Sequence, residues 1–329
     1  MDPLDAVTTT AAWYTTFAER DARHSSPLYA DWAAGVAADP ELLDLIDTLP
    51  PAKRQPNLVL GAARFLGVDE ASPAELRRFL RERWAEVAAV VARRRTQTNV
   101  PGRCATMLPV LASIAGPVAL LEVGASAGLC LVPDRYSYRY THPGGTSRLD
   151  PGPGPSEVVL DCTLDRVDDV PERLPEVVWR AGIDLAPLDV ADAEDLAWLD
   201  ALIWPGHETR RTQTRAAARL VRAEPPLLVA GDLNERLADV AAQAPAGARL
   251  VVFHSAVLAY LDAEARARFT TAVQGLDATW ISNEGQPVLP EVAERLPAGT
   301  EAGHRFVLAV DGAPRALVDP HGSGWSALG

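Results

Sequence analysis

The sequence predicts an α/β protein in which a mostly parallel sheet follows an N-terminal helical cap. Three observations predict it. Residues 1–116 carry helix start signals and apolar residues at helical spacing. After residue 117, short apolar runs of strand length alternate with helical segments, which is the pattern of parallel strands joined by helices. The series closes on two apolar runs separated by Asp311-Gly312, a hairpin signal.

The helical part begins with Asp39-Pro40-Glu41, which starts a helix that Pro50-Pro51 stops. "NLVLGAARFLG" (57–67) is another, ending at Gly67. "SPAELRRFLRERWAEVAAVV" (72–91) is the clearest, because Ser72 and Glu75 form a capping box and Pro73 sits at the first helical position. Leu76, Leu80, Trp84, Val87 and Val91 then recur on one face, which predicts a single continuous helix.

Predicted strands are "VALLEV" (118–123), "EVVWRAGID" (176–184), "PLLVAGD" (226–232), "RLVVFHS" (249–255) and "ATWISN" (278–283), and the hairpin is "HRFVLAVDGAPRALVDP" (304–320). Helices fall between them at "AEDLAWLDALIW", behind the cap Asp192, and at "TRRTQTRAAARLVRA", "NERLADVAAQA" and "DAEARARFTTAVQG". The stretch 134–175 is too long for a simple crossover. Tyr136, Tyr138 and Tyr140 alternate there, and "SEVVLDCTLD" follows a Pro/Gly-rich turn, so a β-rich insertion is expected. The expected domains are therefore a cap over 1–116 and a sheet domain over 117–329 that carries this insertion. Residues 110–132 are long and apolar enough to suggest a membrane span, but Glu122 and the Gly-Pro break argue for helix end, strand and glycine loop.

Composition narrows the partners. The 329 residues are 48% hydrophobic and 23% charged, an ordinary globular balance. Forty-four acidic against 31 basic residues give a net charge of -13, which disfavours nucleic acid and anionic membranes and favours a small molecule. Three cysteines, Cys104, Cys130 and Cys162, lie in no metal or disulfide spacing. His, Asp and Glu are scattered, so no metal is expected. The N-terminus has no positive, apolar signal pattern, and a cytoplasmic location is expected.

"LLEVGASAGLCL" (120–131) carries two chemistries. Gly124-Ala125-Ser126-Ala127-Gly128 is G-x-S-x-G, the nucleophile elbow of a serine hydrolase. An elbow also needs an oxyanion amide from an earlier strand loop, yet everything before residue 117 reads as helical. Asp319 and His321 of "VDPHG" could be forced into the acid and base roles. In the other reading the glycines allow close approach, Ser126 is merely small, and Glu122 offers a carboxylate to a cationic amino group. Glu122 would repel a dinucleotide's phosphates. Asp184 ends the next strand, where a carboxylate can accept ribose hydroxyls, and Asp232 ends the third. Strand-end acids also serve as helix caps, and Asp232 before Asn234 fits that role as well.

Five αβ-connected strands and a final hairpin, with acids at three successive strand ends, resemble the Rossmann-like sheet of class I methyltransferases. "LLEVGASAGLCLVPDRYSYRY", "WRAGIDLAPLDV", "VVFHSAVLAYL" and "TQTNVPGRC" resemble the domain of unknown function 2332 family, itself similar to those enzymes, over most of the chain. Two departures stand out: Cys130 where Asn is expected, and Pro133, which would shorten the helix after the loop. The resemblance implies S-adenosylmethionine as cofactor, held by Glu122, Gly124, Ala125, Ser126, Gly128, Asp184, Leu185, Asp232, Leu233 and Ser255.

Polar residues at later strand ends are candidates for the chemistry. His254 and Glu284 are candidate proton acceptors, although His254 between "VVF" and "SAVLAYL" equally fits a buried, bonded core histidine. Gln97, Asn99, Arg103, Tyr136, Trp204, His207 and Asn283 are candidate substrate contacts. All but Asn283 have a structural alternative: a loop between helices for Gln97, Asn99 and Arg103, strand packing for Tyr136, a helix cap or surface position for the "WPGHETRR" pair. The expected function is methyl transfer to a small molecule. The alternatives are a noncatalytic adenosyl-ligand-binding or regulatory protein, and a serine hydrolase using Ser126.

Overall fold

The computed structural model describes residues 9–97 and 99–328. Among these, two compact units form: one from 9–97 and 192–212, the other from 99–191 and 213–328. These bounds differ from a division at residue 116, because the helix leading into the first strand belongs with the sheet and the stretch 192–212 belongs with the helices.

The helical unit contains α1 (Thr10–Thr16), α2 (Pro27–Ala37), α3 (Pro40–Asp47), α4 (Pro56–Phe65), α5 (Pro73–Glu82) and α6 (Trp84–Arg93). After α7 (Arg103–Ser113) of the other unit, α8 (Ala193–Ala201) returns to it. Asp39 caps α3, Ser72 and Glu75 complete the capping box of α5, and Asp192 caps α8 through the amides of Glu194 and Asp195. The helix expected over 72–91 is instead two. Arg83 leaves helical geometry (φ -121°, ψ 25°) while its guanidinium reaches the Leu66 carbonyl and the Glu86 carboxylate. Tyr14, Tyr29, Trp32 and Trp198 fill the core, and the two indole N–H groups find the carbonyls of Ala71 (2.7 Å) and Arg95 (3.2 Å).

The other unit is built on one sheet of eleven strands among the described residues. In chain order these are β1 (Pro117–Val123), β2 (Ser137–His142), β3 (Gly145–Leu149), β4 (Val159–Leu164), β5 (Glu176–Asp184), β6 (Leu227–Ala230), β7 (Arg249–Ser255), β8 (Ala278–Gly285), β9 (Phe306–Val310), β10 (Ala313–Val318) and β11 (Gly324–Ala327). Their spatial order is β3-β2-β4-β11-β10-β9-β8-β7-β1-β5-β6. The section β6-β5-β1-β7-β8 is parallel throughout, and its strands are linked by α9 (Glu208–Ala223), α10 (Leu233–Ala241) and α11 (Ala263–Gln274). A short α12 (Pro290–Ala293) precedes the antiparallel part. The fold is mixed α/β with a large, mostly parallel sheet.

Because parallel strands are covered on both faces, β1 and β7 are apolar along almost their whole length. One face sets Leu121, Val123, Ile183, Val252 and Trp280 against Leu237 and Val240 of α10 and Phe269 and Val273 of α11. Each such side chain contributes about 1.5–3 kcal/mol of burial free energy. Register places Glu122 beside Phe253 and Ser255 beside Asn283, so these polar residues fall on the opposite face at the carboxyl edge.

The hairpin between β9 and β10 turns at Asp311 and Gly312, both with positive φ (51° and 74°), as a two-residue primed turn requires. It is not terminal. The short β11, missed in the sequence, pairs with β10 on one side and β4 on the other, and so joins the β-rich insertion to the main sheet. No helix among the described residues is long and apolar enough to cross a membrane.

Candidate functional site

In the parallel section, chain connections leave β1 toward β5 and β6 on one side and return to β7 and β8 on the other. The switch point therefore lies between β1 and β7, and the crevice outside the carboxyl ends there is where open α/β sheets bind ligands. The glycine loop leaves β1 at that point. Gly124, Ser126 and Gly128 all have positive φ (73°, 52° and 72°), which turns the chain back on itself within five residues.

The loop is tied down from every side. The amides of Gly124 and Ala125 donate to the Ile183 carbonyl (2.7 and 3.2 Å), and that of Gly128 to the Ala125 carbonyl (2.7 Å). The Ser126 amide donates to the Asp184 carboxylate at 2.8 Å. Asn99 spans the turn, its Nδ2 donating to the Ala125 carbonyl (3.1 Å) and its Oδ1 accepting from the Leu129 amide (2.9 Å). With five amides spent internally, and two 3₁₀ turns (Leu129–Leu131 and Pro133–Arg135) where a helix would otherwise start, the loop offers little to a phosphate. The shortening expected from Pro133 is thus complete.

Gly124 has a role different from the expected one. A Cβ there would lie 2.3 Å from Val257 Cγ2, so the space over this glycine is filled by a side chain of the protein. Gly182 on β5 is the other close approach, since its Cβ would meet the Ala125 Cβ at 2.4 Å. Neither Val257 nor Gly182 stands out among the candidate residues of the sequence. An isolated glycine inside the strand "WRAGID" was the signal available for the second.

Asp184 ends β5 beside the loop. Its two oxygens accept the amides of Ser126 and Ala186, each at 2.8 Å, so it braces the loop rather than capping α8, which has Asp192 for that purpose. Leu185 beside Asp184 is 57% exposed. Asp232 caps α10 through the Asn234 amide (2.8 Å), and Leu233 is buried against the core.

A family profile described as "Uncharacterized protein conserved in bacteria (DUF2332)" matches residues 11–326. The chain belongs to this family. No curated protein and no solved structure matches the chain.

In this DUF2332 chain the most isolated polar group at the edge is Glu122. Its side chain is 4% exposed, and Oε2 is buried with no hydrogen-bond partner among the described residues. Burial pushes its carboxyl well above the usual carboxylate range. Cys130 and Asp184 push the same way, and Arg103 opposes them. Asn283, fully buried, donates from Nδ2 to Ser255 Oγ (2.9 Å), and its Oδ1 is likewise unpartnered. Ser126 is buried, with no partner for its Oγ among the described residues, so no base is in place to activate it as a nucleophile.

His254 and Glu284, expected as proton acceptors, form an internal strut instead. His254 is fully buried between Phe269 and Trp280. An indole nitrogen only donates, so the Trp280 contact to Nε2 (3.1 Å) makes Nε2 the acceptor, and Nδ1 carries the proton that goes to Glu284 Oε1 (2.8 Å). The same Oε1 accepts the amides of Val257 (2.8 Å) and Leu258 (3.0 Å). Both groups are closed off from solvent, and Glu284 Oε2, like Glu122 Oε2, is buried with no partner among the described residues. Their function is to hold the turn that seats Val257 on Gly124.

The expected substrate contacts divide by unit. Asn99 and Arg103 do reach the loop edge, but as braces: Arg103 donates to the Pro320 carbonyl (3.0 Å) and the Ser255 carbonyl (2.9 Å). Tyr136 is fully buried with its hydroxyl on the Leu129 carbonyl (2.5 Å), which removes it as a stacking surface. Trp204 and His207 are occupied inside the helical unit, the first by Asn57 (2.9 Å) and a ring contact with Phe17, the second by Ser25. Gln97 is half-buried in that unit as well. Among the described residues no His, Cys, Asp and Glu side chains group in a way that would hold a metal ion.

Proposed function

We propose that the chain is an S-adenosylmethionine-dependent methyltransferase of a small molecule, with the cofactor held at the carboxyl edge of β6, β5, β1 and β7. The observation that carries this reading is the unpartnered, buried oxygen of Glu122 beside a glycine loop whose amides are already spent. Such a site suits a cationic amino group and does not suit a phosphate. The cofactor supplies an electrophilic methyl group on a sulfonium. Glu122 would take its amino group, and Asp184 the ribose hydroxyls. Leu185 and Asp232 would face the base, and Ser126 would leave room by being small.

With His254 and Glu284 sealed, the chain's contribution to transfer is orientation of the reacting groups, a term that supplies up to about 7–11 kcal/mol when geometry is held well. A noncatalytic adenosyl-ligand-binding protein is the second reading, favoured by that same seal, because the expected acceptors cannot take a proton from a substrate. Incubation with cofactor labelled at the methyl group, together with a panel of small hydroxyl, amine and thiol acceptors, separates the two. Labelled product with inhibition by the demethylated cofactor supports transfer. Binding without any turnover across the panel supports the second reading.

A further inference from the structure

Glu122 is buried without a committed counter-charge. The titratable groups around it are Arg103 and Cys104 from α7, Cys130 from the turn after the loop, Tyr136 ahead of β2, and Asp184 at the end of β5. Its register neighbours are Gly182 on β5 and Phe253 on β7, which carry no charge. The one cation in this set, Arg103, donates to the Pro320 and Ser255 carbonyls. Asp184 is a like charge, and burial holds the Cys104 thiol protonated. A carboxylate here would keep one oxygen buried without a partner and share its nearest cation with two carbonyls, so the uncharged acid is the favoured occupant until a second cation arrives.

We propose that this site takes its cationic ligand in exchange for a proton, Glu122 releasing its carboxyl proton to solvent as the ligand's ammonium group becomes its counter-ion. The inference rests on the proposed cofactor reading and adds to it a pH control on occupancy. One O–H bond is broken, its electron pair stays on the carboxylate, and the proton leaves to water. Affinity therefore rises with pH by up to tenfold per unit below the Glu122 titration and levels off above it. A ligand lacking the positive group gains nothing from the exchange.

The test is calorimetric titration of the full chain with S-adenosylmethionine between about pH 5.5 and 7.5, below the range in which an α-amino group itself titrates. Each pH is measured in two buffers of different ionisation enthalpy. The expected result is release of close to one proton at the acidic end, affinity that strengthens with pH, and loss of both in Glu122→Gln. Carbon-detected NMR of the glutamate carboxyl groups in the ligand-free protein needs no variant, and should show one carboxyl in its neutral form that ionises on addition of ligand. Binding with no proton release and a flat pH profile overturns the exchange and leaves the cofactor reading standing. Glutamate carboxyls all ionised at pH 6 in the free protein overturn it as well. Absence of any binding overturns the cofactor reading, and the exchange with it.

Discussion

Replacing Glu284 by alanine removes the acceptor of three donors at once: His254 Nδ1–H and the amides of Val257 and Leu258, at 2.8, 2.8 and 3.0 Å. The first and third are buried, so they regain no water when the carboxylate goes. A buried donor left without a partner costs about 1–3 kcal/mol, and three that share one acceptor should together cost about 3–6 kcal/mol. That is about a fifth or more of the stability of an ordinary domain. Glu284→Gln keeps an oxygen in the place of Oε1 and puts one buried amide where the unpartnered Oε2 stands, so it should cost about 1–3 kcal/mol, less than the alanine. Equilibrium urea unfolding followed by circular dichroism measures this directly. With a slope near 3 kcal/mol per molar urea, the alanine midpoint should fall by about 1–2 M and the glutamine midpoint by no more than about 1 M. An alanine variant that unfolds with the wild type would refute the strut and return His254 and Glu284 to the candidate bases.

Gly124→Ala should destabilise by about 2–5 kcal/mol, the sum of a left-handed backbone penalty and the clash with Val257. Val257→Ala in the same chain should recover only the second part, and simple additivity of the two changes in urea unfolding would contradict the contact. Ser126→Ala and Ser126→Gly should keep cofactor affinity while Ser126→Leu loses it, and a fluorophosphonate probe should leave Ser126 unlabelled. Labelling there would revive the hydrolase. Glu122 carries a folded-state pKa above its unfolded value, so the folded protein holds the extra proton between the two. Stability should fall as pH rises from about 4.3 through the folded value, by at most about 1.4 kcal/mol per pH unit, and then level off. Glu122→Gln should remove that slope and be the more stable protein above the window.

Elements whose signals are local were legible in the sequence. The five parallel strands lie within one or two residues of the expected runs, because each is an apolar stretch bounded by turn residues, and the capping box at Ser72 and the Asp311-Gly312 turn fall where short-range chemistry puts them. What failed depended on partners distant in sequence. Arg83 breaks a continuous apolar face by reaching back to Leu66. The four residues of β11 form a strand only because β10 and β4 flank them. At the site, strand-end placement brought Glu122, Asp184, Ser255 and Asn283 to one edge as expected. The hydrogen bonds that convert His254, Glu284, Asn99 and Arg103 from reactive candidates into braces come from residues 26 to 217 positions away, which no pattern in the chain displays.

Calorimetric titration at pH 7.5 of wild type, Asp184→Ala and Glu122→Gln decides whether the edge formed by Glu122, the glycine loop and Asp184 holds S-adenosylmethionine. Wild type should bind the cofactor and its demethylated product saturably and one to one. Each variant, shown to be folded by circular dichroism, should bind at least tenfold more weakly, as expected for loss of a charge-assisted hydrogen bond of about 1.5–3 kcal/mol. No heat of binding at millimolar cofactor, or unchanged affinity in both folded variants, would contradict the cofactor reading.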